Sequence, residues 1–347
     1  MNKRVLVAMS GGVDSSVTAA LLQQEGMEVE GVTMKLTAGL CCDIGSAQAV
    51  CSHLHIPHRM IDAQAEFSQN IISSFISEYR QGRTPNPCIT CNDLIKFRLL
   101  LQYARTNGFE YLATGHYARI EMDMLSSRFL LKKGIDGEKD QSYFLYRLSQ
   151  DQMKSLLFPL GGMRKTEVRT RARELALPAA ERPESQEICF VPENDYRVFL
   201  KEYAPETVRP GELVMTDGKV VGTHEGIASF TVGQRRKLGV AAGERLYVVR
   251  LEPEKNRVVL GKRHELQTRT MTVSNPHLIL FDELQSPKKV TVKIRYRSPC
   301  ISSVIEPVGQ DRIRVAFDEP VTAVCPGQAA VFYDGDLVVG GGIIETT

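Results

Sequence analysis

No apolar run in this chain approaches the roughly 20 residues that a bilayer-spanning helix needs, so no membrane span is expected. The basic start, Asn2-Lys3-Arg4, precedes an apolar stretch too short for a secretory signal, and that stretch runs into Ser10-Gly11-Gly12. Long-period repeats and low-complexity segments are also missing. Neither charge sign dominates: 43 Lys and Arg against 41 Asp and Glu leave +2, so a nucleic-acid partner has to be read from local clusters. No G-x-x-x-x-G-K-[ST] string occurs, which removes the Walker lysine. A second C-x-x-C to complement Cys88 and Cys91 is absent, which weakens a zinc site. Eight cysteines without a secretory signal point to the reducing cytoplasm, where thiols serve catalysis, metal binding or packing.

What is present is an ordinary globular composition, 43% hydrophobic and 24% charged, over 347 residues, enough for two or three domains. Apolar runs at 5–9, 29–34, 58–61 and 111–114 read as strands. Helical spacing over 14–24, 46–54 and 93–106 alternates with them. Repeated βα units imply a mostly parallel sheet covered on both faces, with ligands at the C-terminal strand ends. From about residue 207 short β-branched runs bounded by glycine replace this pattern, and 271–344 is β-rich throughout. The expected organisation is a multidomain α/β plus β chain. A nucleotide-binding domain covers 1–200, with a basic helical insert at about 150–182. A central β-rich domain covers 201–270, and a C-terminal β-barrel covers 271–347.

Ala8-Met9-Ser10-Gly11-Gly12-Val13-Asp14-Ser15-Ser16 lies between the first expected strand and helix. Two glycines let successive amides point at one anion, and the helix start adds its own N–H groups and dipole. The string Ser10-Gly11-Gly12-Val13-Asp14-Ser15 resembles the pyrophosphate-binding loop of the ATP pyrophosphatase superfamily, whose domain is adenine nucleotide α-hydrolase-like. With no Walker lysine, it suggests that ATP is held by a departing β,γ-pyrophosphate and that a substrate oxygen is adenylated.

A second segment runs Gly82-Arg83-Thr84-Pro85-Asn86-Pro87-Cys88-Ile89-Thr90-Cys91-Asn92 and on to Phe97. A helix is expected to begin at Cys91, which would favour its thiolate. A buried structural cysteine is the plainer reading. Further strings follow in order: Gly115-His116-Tyr117, Lys139-Asp140-Gln141, Cys189-Phe190, Phe230 to Arg236, and Lys293 to Tyr296. Together they are similar to the tRNA-specific 2-thiouridylase family, along essentially the whole chain.

That resemblance implies Cys91 and Cys189 as catalytic, and Ala8 to Ser15, Met34 and Gly115 as ATP-binding, with Mg²⁺ near Asp14. It implies Asn86, Pro87, Cys88, His116, Lys139, Asp140, Gln141, Arg295, Tyr296 and Gln328 as contacts of tRNA or its target base. It also implies glutamate, glutamine and lysine acceptor tRNAs, and a sulfur-relay protein or cysteine desulfurase as donor. Two departures stand out. The stretch 36–43, with Cys41 and Cys42, is short and weakly acidic, and Cys88 stands where some members have aspartate. Cys88, Cys91 and Cys189 also allow a [4Fe–4S] cluster as an alternative to a Cys189 persulfide. The sets Cys41, Cys42, Cys51 and His53, His55, His58 match no standard ligand spacing, and Cys300 and Cys325 read as packing residues. Arg164, Lys165, Arg169, Arg171 and Arg173 form a charged helix that is either a solvated face or an RNA-binding one. Alternation over 290–297 puts Lys293, Arg295 and Arg297 on one strand face. Two rivals stay open: a synthetase adenylating a small substrate, and an RNA-binding protein that retains the loop without catalysis.

Overall fold

The computed structural model describes residues 3–37, 43–183, 188–191, 195–240 and 243–345, so Cys41 and Cys42 lie outside the described residues. The chain divides into two compact units. The first comprises Met1–Ile71, Cys88–Phe190 and Asp336–Val338, and the second Ile72–Pro87, Val191–Gly335 and Val339–Thr347.

In the first unit Val5, Leu6 and Val7 are wholly buried, because Arg4–Ala8 is the middle strand of a parallel sheet. The order is His58–Asp62, Glu28–Lys35, Arg4–Ala8, Tyr111–Ala113 and Leu156–Leu157. A strand covered on both faces needs a continuous apolar run, and residues 5–7 supply it. Later strands lie on both sides of Arg4–Ala8, which makes its C-terminal end the switch point of the sheet. Helix Val13–Gln24 leaves that end and packs through Val13 and Val17 on Leu160, Val168 and Ala172. Val168 and Ala172 belong to helix Lys165–Glu174, so the two helices share one apolar seam.

The helix expected to begin at Cys91 begins at Pro87. Pro87–Thr90, Cys91–Leu99 and Leu100–Thr106 follow without a break, the middle segment with π-type bonding. Proline at a helix start loses nothing, because its missing N–H would have no partner there. The first turn therefore holds Cys88, and Cys91 lies one turn further in. An antiparallel hairpin, Ala118–Asp123 with Arg128–Lys133, was not legible in the sequence.

The second unit holds a four-stranded sheet in the order Tyr247–Glu252, Arg257–Gly261, Gly211–Met215, Val220–His224. It also holds a six-stranded barrel. Gln267–Leu278, Arg312–Thr322, Ile301–Val308, Lys288–Lys293, Ala329–Asp334 and Leu337–Ile344 follow in order, and Val273 faces Ile344 to close it. Val292, Ile305, Val315, Phe332 and Val339 fill its interior. The strand expected over 290–297 stops at Lys293, so Arg295 and Arg297 do not extend its basic face. Among the described residues no helix is long and apolar enough to cross a membrane.

Candidate active site

Ala8 ends the middle strand, and Met9, 3% exposed, carries the chain into the turn. Gly11 has φ +78°, and a Cβ there would lie 2.9 Å from the Asp43 carbonyl oxygen, so only glycine makes this turn. The Ser10 amide donates to Ser15 Oγ at 3.2 Å, and the Ser15 and Ser16 hydroxyls donate to the Gly12 carbonyl at 3.1 and 2.8 Å. Those bonds fix the loop from within. Gly12 is the N-cap and has no side chain to cover the first-turn amides, which leaves them suited to an anion. Thr33 Oγ1 donates to the Met9 carbonyl at 2.9 Å and lies 2.8 Å from His58 Nε2. Burial pushes the His58 pKa down. Met34, next to Thr33, is buried.

Gly115 follows strand Tyr111–Ala113 on the other side of the switch point. A Cβ there would meet the Asp14 carbonyl carbon and Cβ at 2.9 Å and the Ser15 amide at 3.0 Å. Asp14 itself is firmly held. Lys165 Nζ donates to its two oxygens at 2.6 and 2.8 Å, and the Tyr117 hydroxyl donates to Oδ1 at 2.7 Å. Lys165 is only 7% exposed, and its amide donates to Asp136 Oδ2 at 2.9 Å. Sequence reasoning placed Lys165 in a charged helix and missed this contact, because its partner is far away along the chain. Arg182 was missed in the same way: it donates to the Gly11 carbonyl at 3.1 Å and to Asp43 Oδ2 at 2.7 Å. A Mg²⁺ ion at the Asp14 carboxylate would sit beside an ammonium already bonded to both oxygens. The donor set does not fit a metal ligand.

Cys91 is buried, while Cys88 and Cys189 are exposed. Protein atoms around the Cys88 sulfur nevertheless desolvate it and raise its pKa, the Lys96 charge acting in the opposite direction and Cys189 in the same one. Phe190, buried edge-on against Phe67 with ring centroids 5.6 Å apart, anchors the chain just after Cys189. Among the described residues no three His, Cys, Asp or Glu side chains come together in a group that could hold a metal ion. His116 lies between the rings of Phe97 and Phe158, at 5.6 and 5.8 Å. Burial first, and the Lys96 charge second, push its pKa well down, and Nδ1 meets Thr114 Oγ1 at 2.6 Å.

Several residues expected to contact RNA are engaged inside the protein. Asp140 is buried, and its carboxylate accepts from the Gly134 and Ser142 amides and the Ser142 hydroxyl. Gln141 holds the Tyr117 amide through its side-chain oxygen at 3.1 Å, and Lys139 sits in the same turn. On the charged helix Arg169 donates to the carbonyls of Ala180 and Arg182. Arg171 pairs with Glu174 and Arg173 with Glu181, so the solvated-face reading describes this helix better than a bare basic stripe. In the second unit Arg295 donates to the carbonyls of Val232 and Ala323 at 3.2 and 2.9 Å, and Gln328 to that of Thr84 at 2.8 Å. Tyr296 follows Arg295 in a turn, and its ring centroid lies 6.0 Å from Lys293 Nζ. Asn86 and Pro87 belong to the second unit, and residues 184–187, just before Cys189, lie outside the described residues.

Residues 3–193 match the family described as "tRNA methyl transferase HUP domain". Residues 197–262 match its PRC-barrel domain, and residues 268–344 match an "Aminomethyltransferase beta-barrel domain". The chain is 46% identical over 356 residues to the tRNA-specific 2-thiouridylase MnmA of Acetivibrio thermocellus, covering 99% of each. It is 47% identical over 358 residues to tRNA-specific 2-thiouridylase MnmA 1 of Caldanaerobacter subterraneus, covering 99% of this chain and 98% of that one. A relative from Desulforamulus reducens, also named tRNA-specific 2-thiouridylase MnmA, is 46% identical over 361 residues, 100% of this chain and 98% of its own.

Proposed function

The chain belongs to the tRNA-specific 2-thiouridylases, a family of tRNA sulfurtransferases, and from that premise we propose that it replaces the C2 oxygen of a wobble uridine with sulfur at the cost of ATP. The loop 8–15 and Gly115 hold the nucleotide at the switch point of the sheet. The uridine O2 attacks the α-phosphorus while the N3 proton is lost to solvent. The bond from the α-phosphorus to the bridging oxygen breaks, and pyrophosphate leaves with its electron pair. Mg²⁺, carried on the phosphate oxygens, is expected to enter with ATP rather than on Asp14.

Cys189 carries the incoming sulfur as a persulfide, loaded by a relay protein or desulfurase. Its terminal sulfur adds to C2 and AMP departs. The Cys91 thiolate then attacks Cys189 Sγ, the sulfur–sulfur bond breaks, and a Cys91–Cys189 disulfide is left for an external dithiol to reduce. One observation carries this reading: a phosphate loop and the cysteines 88, 91 and 189 occur within one folded unit.

The test is incubation with ATP, a persulfide donor and unmodified tRNA, with 2-thiouridine, AMP and pyrophosphate measured together. Cys91→Ser and Cys189→Ser should each abolish thiolation, while Cys51→Ala retains it. ADP as product would remove the adenylation step. Turnover without RNA would favour a small-substrate synthetase, and tRNA binding without pyrophosphate release would favour a non-catalytic binder.

A further inference from the structure

We infer that Lys165 is the cation that receives the leaving pyrophosphate, and that Asp14 is the anchor holding it beside the loop. This rests on the adenylation reading above and says which side chain bears the leaving group's charge. Lys165 is the first residue of its helix, and Asp14 lies in the first turn of the other. Their shared seam of Val17, Val168 and Ala172 brings the two helix starts together. At that meeting point the ammonium touches both Asp14 oxygens, with the Tyr117 ring centroid 5.6 Å away.

Three features argue that the pair is more than packing. An ion pair with one buried partner and one partly exposed partner is weak evidence of stability, so its placement has to be explained by position. The position is beside the turn whose uncapped amides suit an anion. As the α-phosphorus to oxygen bond breaks, charge builds on the bridging and terminal oxygens of pyrophosphate, and a preset donor there acts when it is needed. The sequence has no Walker lysine to fill that place. Arg182, the other cation reaching the loop, is tied to the Gly11 carbonyl and to Asp43. Lys165 acts by donating hydrogen bonds and transfers no proton.

The test uses the full chain with ATP and unmodified tRNA. Lys165→Met should slow pyrophosphate release about 100-fold or more, the usual loss for one such donor. Its tRNA affinity should stay within about twofold of wild type. Lys165→Arg, which keeps the charge, should recover at least about tenfold of that loss. A wild-type rate in a folded Lys165→Met, or a loss of tRNA affinity that accounts for the slower rate, overturns the proposal. Should Lys165→Met fail to fold, inhibition by inorganic pyrophosphate is compared between wild type and Lys165→Gln, which removes the charge. Weaker inhibition of the Gln variant supports the contact, and equal inhibition overturns it. Wild-type protein that releases no pyrophosphate with ATP and tRNA would instead remove the functional reading itself.

Discussion

A methyl group on Gly115 has no room, because backbone atoms of Asp14 and Ser15 lie within 3.0 Å of where it would sit. Gly115→Ala must therefore push the helix start away from the strand end. We expect a cost of about 1–3 kcal/mol in denaturant unfolding, together with a clear loss of affinity for a non-hydrolysable ATP analogue. An unchanged affinity would show that the two strand ends do not act on one ligand. Asp43 offers a pH test. Bonds from the Ser46 amide and hydroxyl, and then from Arg182, lower its pKa from 3.8 to about 2. A group ionised more readily when folded stabilises the fold above its unfolded pKa, and that stability is lost as pH falls towards the folded value. The stability gap between wild type and Asp43→Asn should be constant above about pH 5 and shrink between pH 4 and 2. At this scale the sequence is legible where a residue acts through its neighbours, as Gly11 does in the loop. It is opaque for Lys165 and Arg182, whose partners become neighbours only after the helices pack.

The elements were more readable. Buried parallel strands and amphipathic helices write their period into the chain, and the expected 46–54 helix is observed as Ile44–His53. The cysteine helix begins one turn before the expected start at Cys91, because Pro87 is a residue with which a helix can begin. The basic strand was misread because alternation continues past Lys293 while the ladder does not: Arg295 bends back to two carbonyls. The turn at 134–142 shows how an expected RNA contact can instead be a buried brace. Asp140→Ala would strand the buried Gly134 and Ser142 amides, so unfolding should become easier by about 1–3 kcal/mol. If stability is unchanged and only tRNA affinity falls, Asp140 belongs to the RNA surface after all.

For the molecule as a whole, a net charge of +2 leaves RNA affinity to local clusters. Arg235, Lys237 and Arg245 line one shallow depression in the second unit, with Glu244 the acidic side chain among them. Affinity for tRNA should fall steeply with salt, on a straight line in logarithmic coordinates. Charge reversal at Arg235 or Lys237 should flatten that slope by about one each while leaving ATP affinity alone. A flat titration of the wild-type protein would contradict phosphate neutralisation. The division into a parallel-sheet unit and β-rich modules was legible because the hydrophobic period changes along the chain. The closure of the barrel was not, since Val273 meets Ile344 only across the full sequence of that module. That closure also sets a timetable. A ribosome delivers Gln267–Leu278 first among the six strands and Leu337–Ile344 last, so one flank of the earliest strand waits unpaired while the others emerge. An open flank accepts any passing strand, and crowded nascent chains are where such mispairing begins.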